Sequence, residues 1–172
     1  PDDVTENLLS MLKDANVNRI SMGVQSLDDA TLKAMGREYS AKKAERAFAQ
    51  IRKYFDNAGI DLIVGYPGDN LSTDDYYKTL KNWGLKHCSV YSLIVEEKSI
   101  LGKLWETGKI KIPSDDEMLD KINSISEMLS RIGLERYEIS NYAVPGFECR
   151  HNPATWKGED YIGLGKGAAG RI

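Results

Sequence analysis

Cysteine is scarce in this chain: Cys88 and Cys149 are the only two among 172 residues. Two thiols are too few for the disulfide framework of a small secreted domain, and they fit the reducing cytoplasm. No run approaches the ~18 consecutive apolar residues of a membrane-crossing helix, so no transmembrane segment is expected. The opening Pro1-Asp2-Asp3 has neither the basic nor the apolar region of a signal peptide. Positive charge is not in excess, with 23 Lys and Arg against 26 Asp and Glu. That balance argues against nucleic acid as a partner. The G-x-S-x-G elbow, H-E-x-x-H and the phosphate-binding P-loop are also missing. What is present is a 41% apolar chain with nine Tyr and three Phe. That is too rich for disorder and long enough to bury the core of one domain. Proline is an unusual first residue and helix-like sequence follows it closely, so the chain reads as cut from something longer.

Helical and strand-like segments alternate. Leu8, Leu9, Met11 and Leu12 mark a short helix. Ile20, Met22 and Val24 alternate with other residues up to Gln25, which predicts a strand. Asp28 is placed to cap a short helix stapled by Leu27 and Leu32 and ending at Gly36. Ser40 starts a longer helix with Ala44, Ala47, Phe48, Ile51 and Phe55 on one face, and Gly59 is expected to end it. Ile60 to Gly68 is a nearly all-apolar run closed by turn residues, the pattern of a strand buried on both faces, with Asp61 its one charge. Ser72 or Thr73 caps the next helix, and Cys88 to Val95 reads as a strand. Ser114 and Glu117 form the capping box of the strongest helix. A last strand is expected over Arg136 to Ser140, followed by loop-like sequence. Strands starting near 18, 60, 88 and 136 with helices between them predict an α/β fold built on a parallel sheet, either doubly wound or barrel-like.

In such folds ligands bind at the carboxyl ends of the strands. Gln25 ends the first strand, Arg37 follows one helix later, and Asp61 lies in the second strand. A buried Asp needs a partner or a ligand. It could pair with Arg37, cap nearby backbone, or serve a bound molecule. His87 and Cys88 are neighbours on a strand and point to opposite faces. Cys149-x-His151 lacks a second pair at zinc spacing. The Gly163-Leu164-Gly165-Lys166-Gly167 tail lacks the context of a dinucleotide site and reads as a tight turn. His151-Asn152-Pro153-Ala154-Thr155-Trp156, in a predicted loop, offers an imidazole, an amide and an indole to a flat aromatic ligand, and imidazole is a common haem ligand.

Several strings carry a family resemblance. Asn18 to Leu27, Met35-Gly36-Arg37 and Asp61 to Gly68 resemble radical S-adenosylmethionine (SAM) proteins related to oxygen-independent coproporphyrinogen III oxidase. Tyr137 to Ala143, Pro145 to Asn152 and Tyr161 to Gly165 are most similar to the HemW-type haem chaperone branch. The resemblance runs almost the whole chain in order. It implies a partial (β/α)6 barrel, radical SAM and TIM-barrel-like, here incomplete, with residues 111–172 as its helix-strand extension. It implies SAM as cofactor beside a [4Fe-4S] cluster, whose electron cleaves SAM to a 5′-deoxyadenosyl radical, and a haem or porphyrin ligand. By the same resemblance Gln25 and Asp61 hold the ribose region, Arg37 lies near the SAM carboxylate, Ile63 packs by the adenosyl group, and His151 meets haem.

The sequence departs from the family where Thr155 stands for a tyrosine, Tyr39 for a histidine, and Glu96-Glu97-Lys98-Ser99 for a Pro-Gly turn. Three cysteines spaced C-x-x-x-C-x-x-C ligate the family's cluster, and this chain cannot supply them. The resemblance places them upstream of Pro1. The parent protein is then an oxidoreductase-like radical SAM protein of porphyrin metabolism, while this chain alone is expected to be inactive and to self-associate through open sheet edges. The alternative is a haem- or porphyrin-binding module that has lost the radical chemistry.

Overall fold

Side-chain caps decide where the helices begin. In this computed structural model, which describes residues 1–69 and 71–172, Thr5 caps α1 (Glu6–Asp14), Asp28 caps α2 (Asp29–Ala34) and Ser40 caps α3 (Ala41–Tyr54). Ser72, rather than Thr73, caps α4 (Thr73–Leu80), in a reciprocal capping box with Asp75. Ser99 caps α5 (Ile100–Glu106), and Ser114 with Glu117 closes the expected box at α6 (Asp115–Arg131). Each cap satisfies a backbone N–H that the first helical turn leaves without a partner.

Between the helices run β1 (Ile20–Gln25), β2 (Ala58–Val64) and β3 (His87–Ser92). They pair in parallel, β1 with β2 and β2 with β3. Beyond β3 the sheet changes direction. The single strand expected at 136–140 is two short ones, β4 (Glu135–Arg136) and β5 (Asn141–Ala143), with a turn between them. β5 lies antiparallel on β3 and β4 antiparallel on β5, giving the unclosed order β1-β2-β3-β5-β4. Glu138 makes the reversal: its carboxylate accepts from the Ser140 N–H, and its carbonyl accepts from Arg136 Nε. The architecture is an unclosed α/β fold with a mixed sheet, parallel over its first three strands.

Met22, Val24, Ile60, Leu62, Cys88 and Val90 point to one side of the sheet and pack with Phe48, Ile51, Leu80 and Met128 of the helices. That side is the core. α3 packs on β1 and α6 on β2, β3 and β4. Gly59 does not end α3, which stops at Tyr54. It sits inside β2, where a Cβ would lie 2.7 Å from the His87 carbonyl oxygen. Its lack of a side chain therefore serves strand approach and not helix termination.

His87 is fully buried, and its Nε2 lies 2.7 Å from the Tyr137 hydroxyl, which also accepts the Cys149 N–H. Burial, with the Arg19 guanidinium nearby as a second cause, pushes the ring down to about 4 from its usual 6.5. The unfolded chain therefore binds more protons than the folded one between those values. Stability present above pH 6.5 is lost as pH falls toward 4. Between pH 7 and 5 the expected loss from this group is about 2 kcal/mol. Thermal melts of wild type and His87→Phe over that range check it: the variant should show a distinctly flatter pH slope.

Candidate functional site at the strand ends

Alternation along the strands leaves a second, more polar face turned away from that core. Ser21 and Gly23 of β1, Asp61 and Ile63 of β2, and Ser89 and Tyr91 of β3 share it, as the strand registers show. Asp61 is half-buried there. Its Oδ1 accepts from Ser21 Oγ at 2.9 Å, and among the described residues nothing donates to Oδ2. The partner is thus Ser21 and not Arg37, and one carboxylate oxygen stays open to a hydroxyl donor.

Gln25 is held in an unusual way. The β1–β2 register slips between Gly23 and Gln25, so Val24 is the extra residue of a bulge. Gln25 has φ 66°, and the Ser26 N–H donates to the Val24 carbonyl at 2.8 Å around it. A two-residue hydrogen bond closed over a positive φ is the rarer, strained form of γ-turn. The turn carries the Gln25 amide back over Gly23, where a Cβ would lie 2.6 Å from Nε2. Gly23 is the register partner of Asp61. The structure therefore brings Gln25 and Asp61 to one spot. Tyr39, only 8% exposed, donates to the Val24 carbonyl at 3.3 Å from behind the bulge. Burial raises its phenol pKa, so the hydroxyl remains a donor.

Arg37 is placed by the end of α2. The Gly36 N–H donates to Lys33 and the Arg37 N–H to Leu32, with Gly36 at φ 70°. These two bonds form a Schellman motif, which needs a left-handed residue at Gly36. Arg37 and Ile63 line one cleft of about 560 Å³ together with Met35, Tyr66, Leu93, Ile94 and Glu96. The cleft sets the Arg37 guanidinium, which has no hydrogen-bond or ion-pair partner among the described residues, against mostly apolar walls. Ile63 joins its floor to the Asp61 position two residues earlier on the same strand face.

His151 is not in a loop. It opens α7 (His151–Trp156), is exposed, and packs edge-on against Tyr161 with ring centroids 5.1 Å apart. Trp156 follows it five helical positions later, about 140° around the axis, so the imidazole and the indole face different directions. His151 is not among the residues lining the cleft that Arg37 and Ile63 share.

Sequence reasoning missed Ser26, Asp69, Tyr66 and Tyr76, which brace the strand ends by hydrogen bonds. The one visible signal was the turn chemistry of Tyr66-Pro67-Gly68 after the apolar strand.

The residues present fit SAM and do not fit an iron–sulfur cluster. An open carboxylate oxygen, a bulged amide, a guanidinium and an apolar floor suit a ligand with a ribose, an amino-acid end and a flat base. Cys88 and Cys149 are both buried and free, and among the described residues no three His, Cys, Asp or Glu side chains gather as a metal site. Burial also raises the Cys88 thiol pKa, with the Asp61 charge a lesser cause, which keeps the thiol protonated. Among the described residues no helix is long and apolar enough to cross a membrane.

Residues 1–80 match the radical SAM superfamily. The chain is 36% identical to the haem chaperone HemW of Bacillus subtilis over 174 aligned positions, covering all of this chain and 46% of that protein. It is 34% identical to HemW of Escherichia coli, over 92% of this chain and 41% of that protein. Against radical S-adenosyl methionine domain-containing protein 1, mitochondrial, of Danio rerio, it is also 34% identical, over 92% of this chain and 36% of that protein. In structure it is similar to the coproporphyrinogen III oxidase HemN of Escherichia coli, a radical SAM enzyme. The TM-score is 0.73 at 21% identity, over 99% of this chain and 42% of that one. The chain spans about half the length of the first of these curated relatives. Residues 1–80 thus match the radical SAM superfamily, and over its whole length the chain is similar to proteins named as the haem chaperone HemW.

Proposed function

We propose that this chain supplies the SAM-gripping strand ends of a haem-chaperone-type radical SAM protein. The observation that carries the reading is the strained, bulged end of β1, which sets Gln25 beside the open carboxylate of Asp61. In this reading Asp61 accepts from a ribose hydroxyl and Gln25 offers its amide alongside. Arg37 takes the SAM carboxylate as a planar anion. Ile63 gives the adenosyl group an apolar surface. When bound at the family's [4Fe-4S] cluster, SAM supplies radical chemistry. This chain has no thiolate set for that cluster, so alone it binds and orients and does not turn over.

Haem or a porphyrin is the second proposed ligand, met by His151. The support is an exposed imidazole whose ring nitrogens make no hydrogen bond among the described residues, backed by Tyr161. The free thiols fit a cytoplasmic protein. The outer edge of β1, which pairs with no strand among the described residues, is where copies of the chain would associate.

Two titrations test the reading. Calorimetry should show saturable SAM binding that Arg37→Ala weakens roughly tenfold, the worth of one charge-assisted contact. Haemin should give a shifted Soret band that is lost in His151→Ala. Identical haem spectra for the two proteins would remove His151 from the site. Haem binding without any SAM binding would favour the module that has kept only its porphyrin ligand.

A further inference from the structure

The turn at Gln25 and the segment carrying Arg37 lie on different elements, yet both are tied to one loop. After β2 the chain turns through Tyr66 to Asp69. The Tyr66 hydroxyl donates to the Ala34 carbonyl at 2.8 Å, at the last residue of α2 and three residues before Arg37. Helix C-terminal carbonyls lack intrahelical partners, so this bond fixes the end from which the Schellman motif launches Arg37. On the other side, Asp69 Oδ2 accepts from the Tyr76 hydroxyl at 3.2 Å, and that hydroxyl lies 3.3 Å from Ser26 Oγ. Ser26 is fully buried, and its Oγ also accepts the Asp28 N–H at 3.0 Å. Ser26 is the residue whose own N–H closes the strained turn over Gln25. Strain of this kind persists only where the surroundings over-determine it. Here Tyr39 holds the carbonyl side of the turn, and the Asp69–Tyr76 pair holds the Ser26 side.

We infer that the Tyr66–Asp69 loop is the positioning clamp of the ligand site. Asp69 fixes Gln25 through Ser26, whose Oγ reaches Asp69 Oδ2 directly at 3.5 Å as well as by way of Tyr76, and Tyr66 fixes Arg37 through the Ala34 carbonyl. Neither residue needs to touch the ligand. The inference deepens the SAM reading and rests on it for what Gln25 and Arg37 hold. The clamp itself can be measured without any ligand.

Native-state hydrogen exchange on the full chain gives that measurement. In Asp69→Ala and in Tyr76→Phe, the Ser26 and Asp28 amides should exchange about tenfold faster, the worth of one lost supporting hydrogen bond. The Gly36 and Arg37 amides should be unchanged in both variants. Tyr66→Phe should do the reverse. The Ile51 amide in α3 serves as the control for global opening. Unchanged rates at the named amides, or equal acceleration at Ile51, would overturn the clamp. SAM affinity is the second readout. Asp69→Ala should weaken binding several-fold in the wild-type background and have little further effect in Gln25→Ala, and Tyr66→Phe should behave likewise with Arg37→Ala. Additive losses in both pairs would overturn the clamp. If the wild type binds no SAM, the functional reading fails while the exchange rates still decide the clamp.

Discussion

Asp61→Ala is expected to weaken SAM binding by roughly 10- to 100-fold, the range for removing a charged acceptor from a hydroxyl donor. The geometry allows this without collapse of the fold. Asp61 has one oxygen engaged by Ser21 and one open, and it is only half-buried. Deleting the carboxylate costs the Ser21 bond, about 1 kcal/mol of stability, and leaves no buried charge behind. Asp61→Asn separates the two roles. Its amide oxygen still accepts from Ser21, while its NH2 donates where the ligand's hydroxyl needs an acceptor. Stability should therefore return in Asp61→Asn while affinity stays low. Calorimetry and thermal melts on the two variants check the outcome, and full affinity in Asp61→Asn would show that the open oxygen is not used.

Gly59→Val is expected to be the most damaging single change to the fold. A Cβ at 59 would meet the His87 carbonyl oxygen at 2.7 Å and the His87 Cβ at 2.9 Å. Neither neighbour can swing away, because His87 is fully buried and its backbone pairs with β2 and β5. The two central strands would have to part where they are hydrogen-bonded on both sides. Overpacking of this kind costs about 3 kcal/mol or more, and for a domain of this size it should lower the melting temperature by roughly 6–12 °C. Loss of the His87–Tyr137 contact should accompany it, because both depend on the same placement of β3. A melt within 2 °C of wild type, estimated at about 0.5–1 kcal/mol, would show that the β2–β3 spacing gives way.

The two glycines on which the site and sheet depend show how far sequence patterns reach. Gly36 was legible because an amphipathic stretch ends one residue before it and a helix end of that kind favours a left-handed residue. Gly59 was misread because it also follows an amphipathic stretch. What fixes it is a contact with His87, a residue 28 positions later, and local pattern carries no such information. The parallel half of the sheet was readable from three apolar runs separated by helices. The β4–β5 reversal was not, since Arg136 to Ser140 has strand-like composition and the turn is made by one carboxylate and one guanidinium reaching across it. At the site, Gln25 ends β1, Asp61 and Ile63 lie near the end of β2, and Arg37 follows α2 and lines a cleft with Ile63. The bulge that aims Gln25 depends on pairing with β2, and the loop that holds it depends on Tyr76 of α4. Neither is a property of the segment that contains Gln25.

In the proposed reading SAM sits on the strand ends of β1 and β2. Titrating SAM into isotopically labelled chain and following backbone amide shifts tests it most directly, because the method detects weak binding without a cluster. Saturable shifts are expected at Gln25, Arg37, Asp61 and Ile63, with the α7 amides around His151 unmoved. Saturable shifts confined to other parts of the chain, or none at any of these four amides, would contradict it.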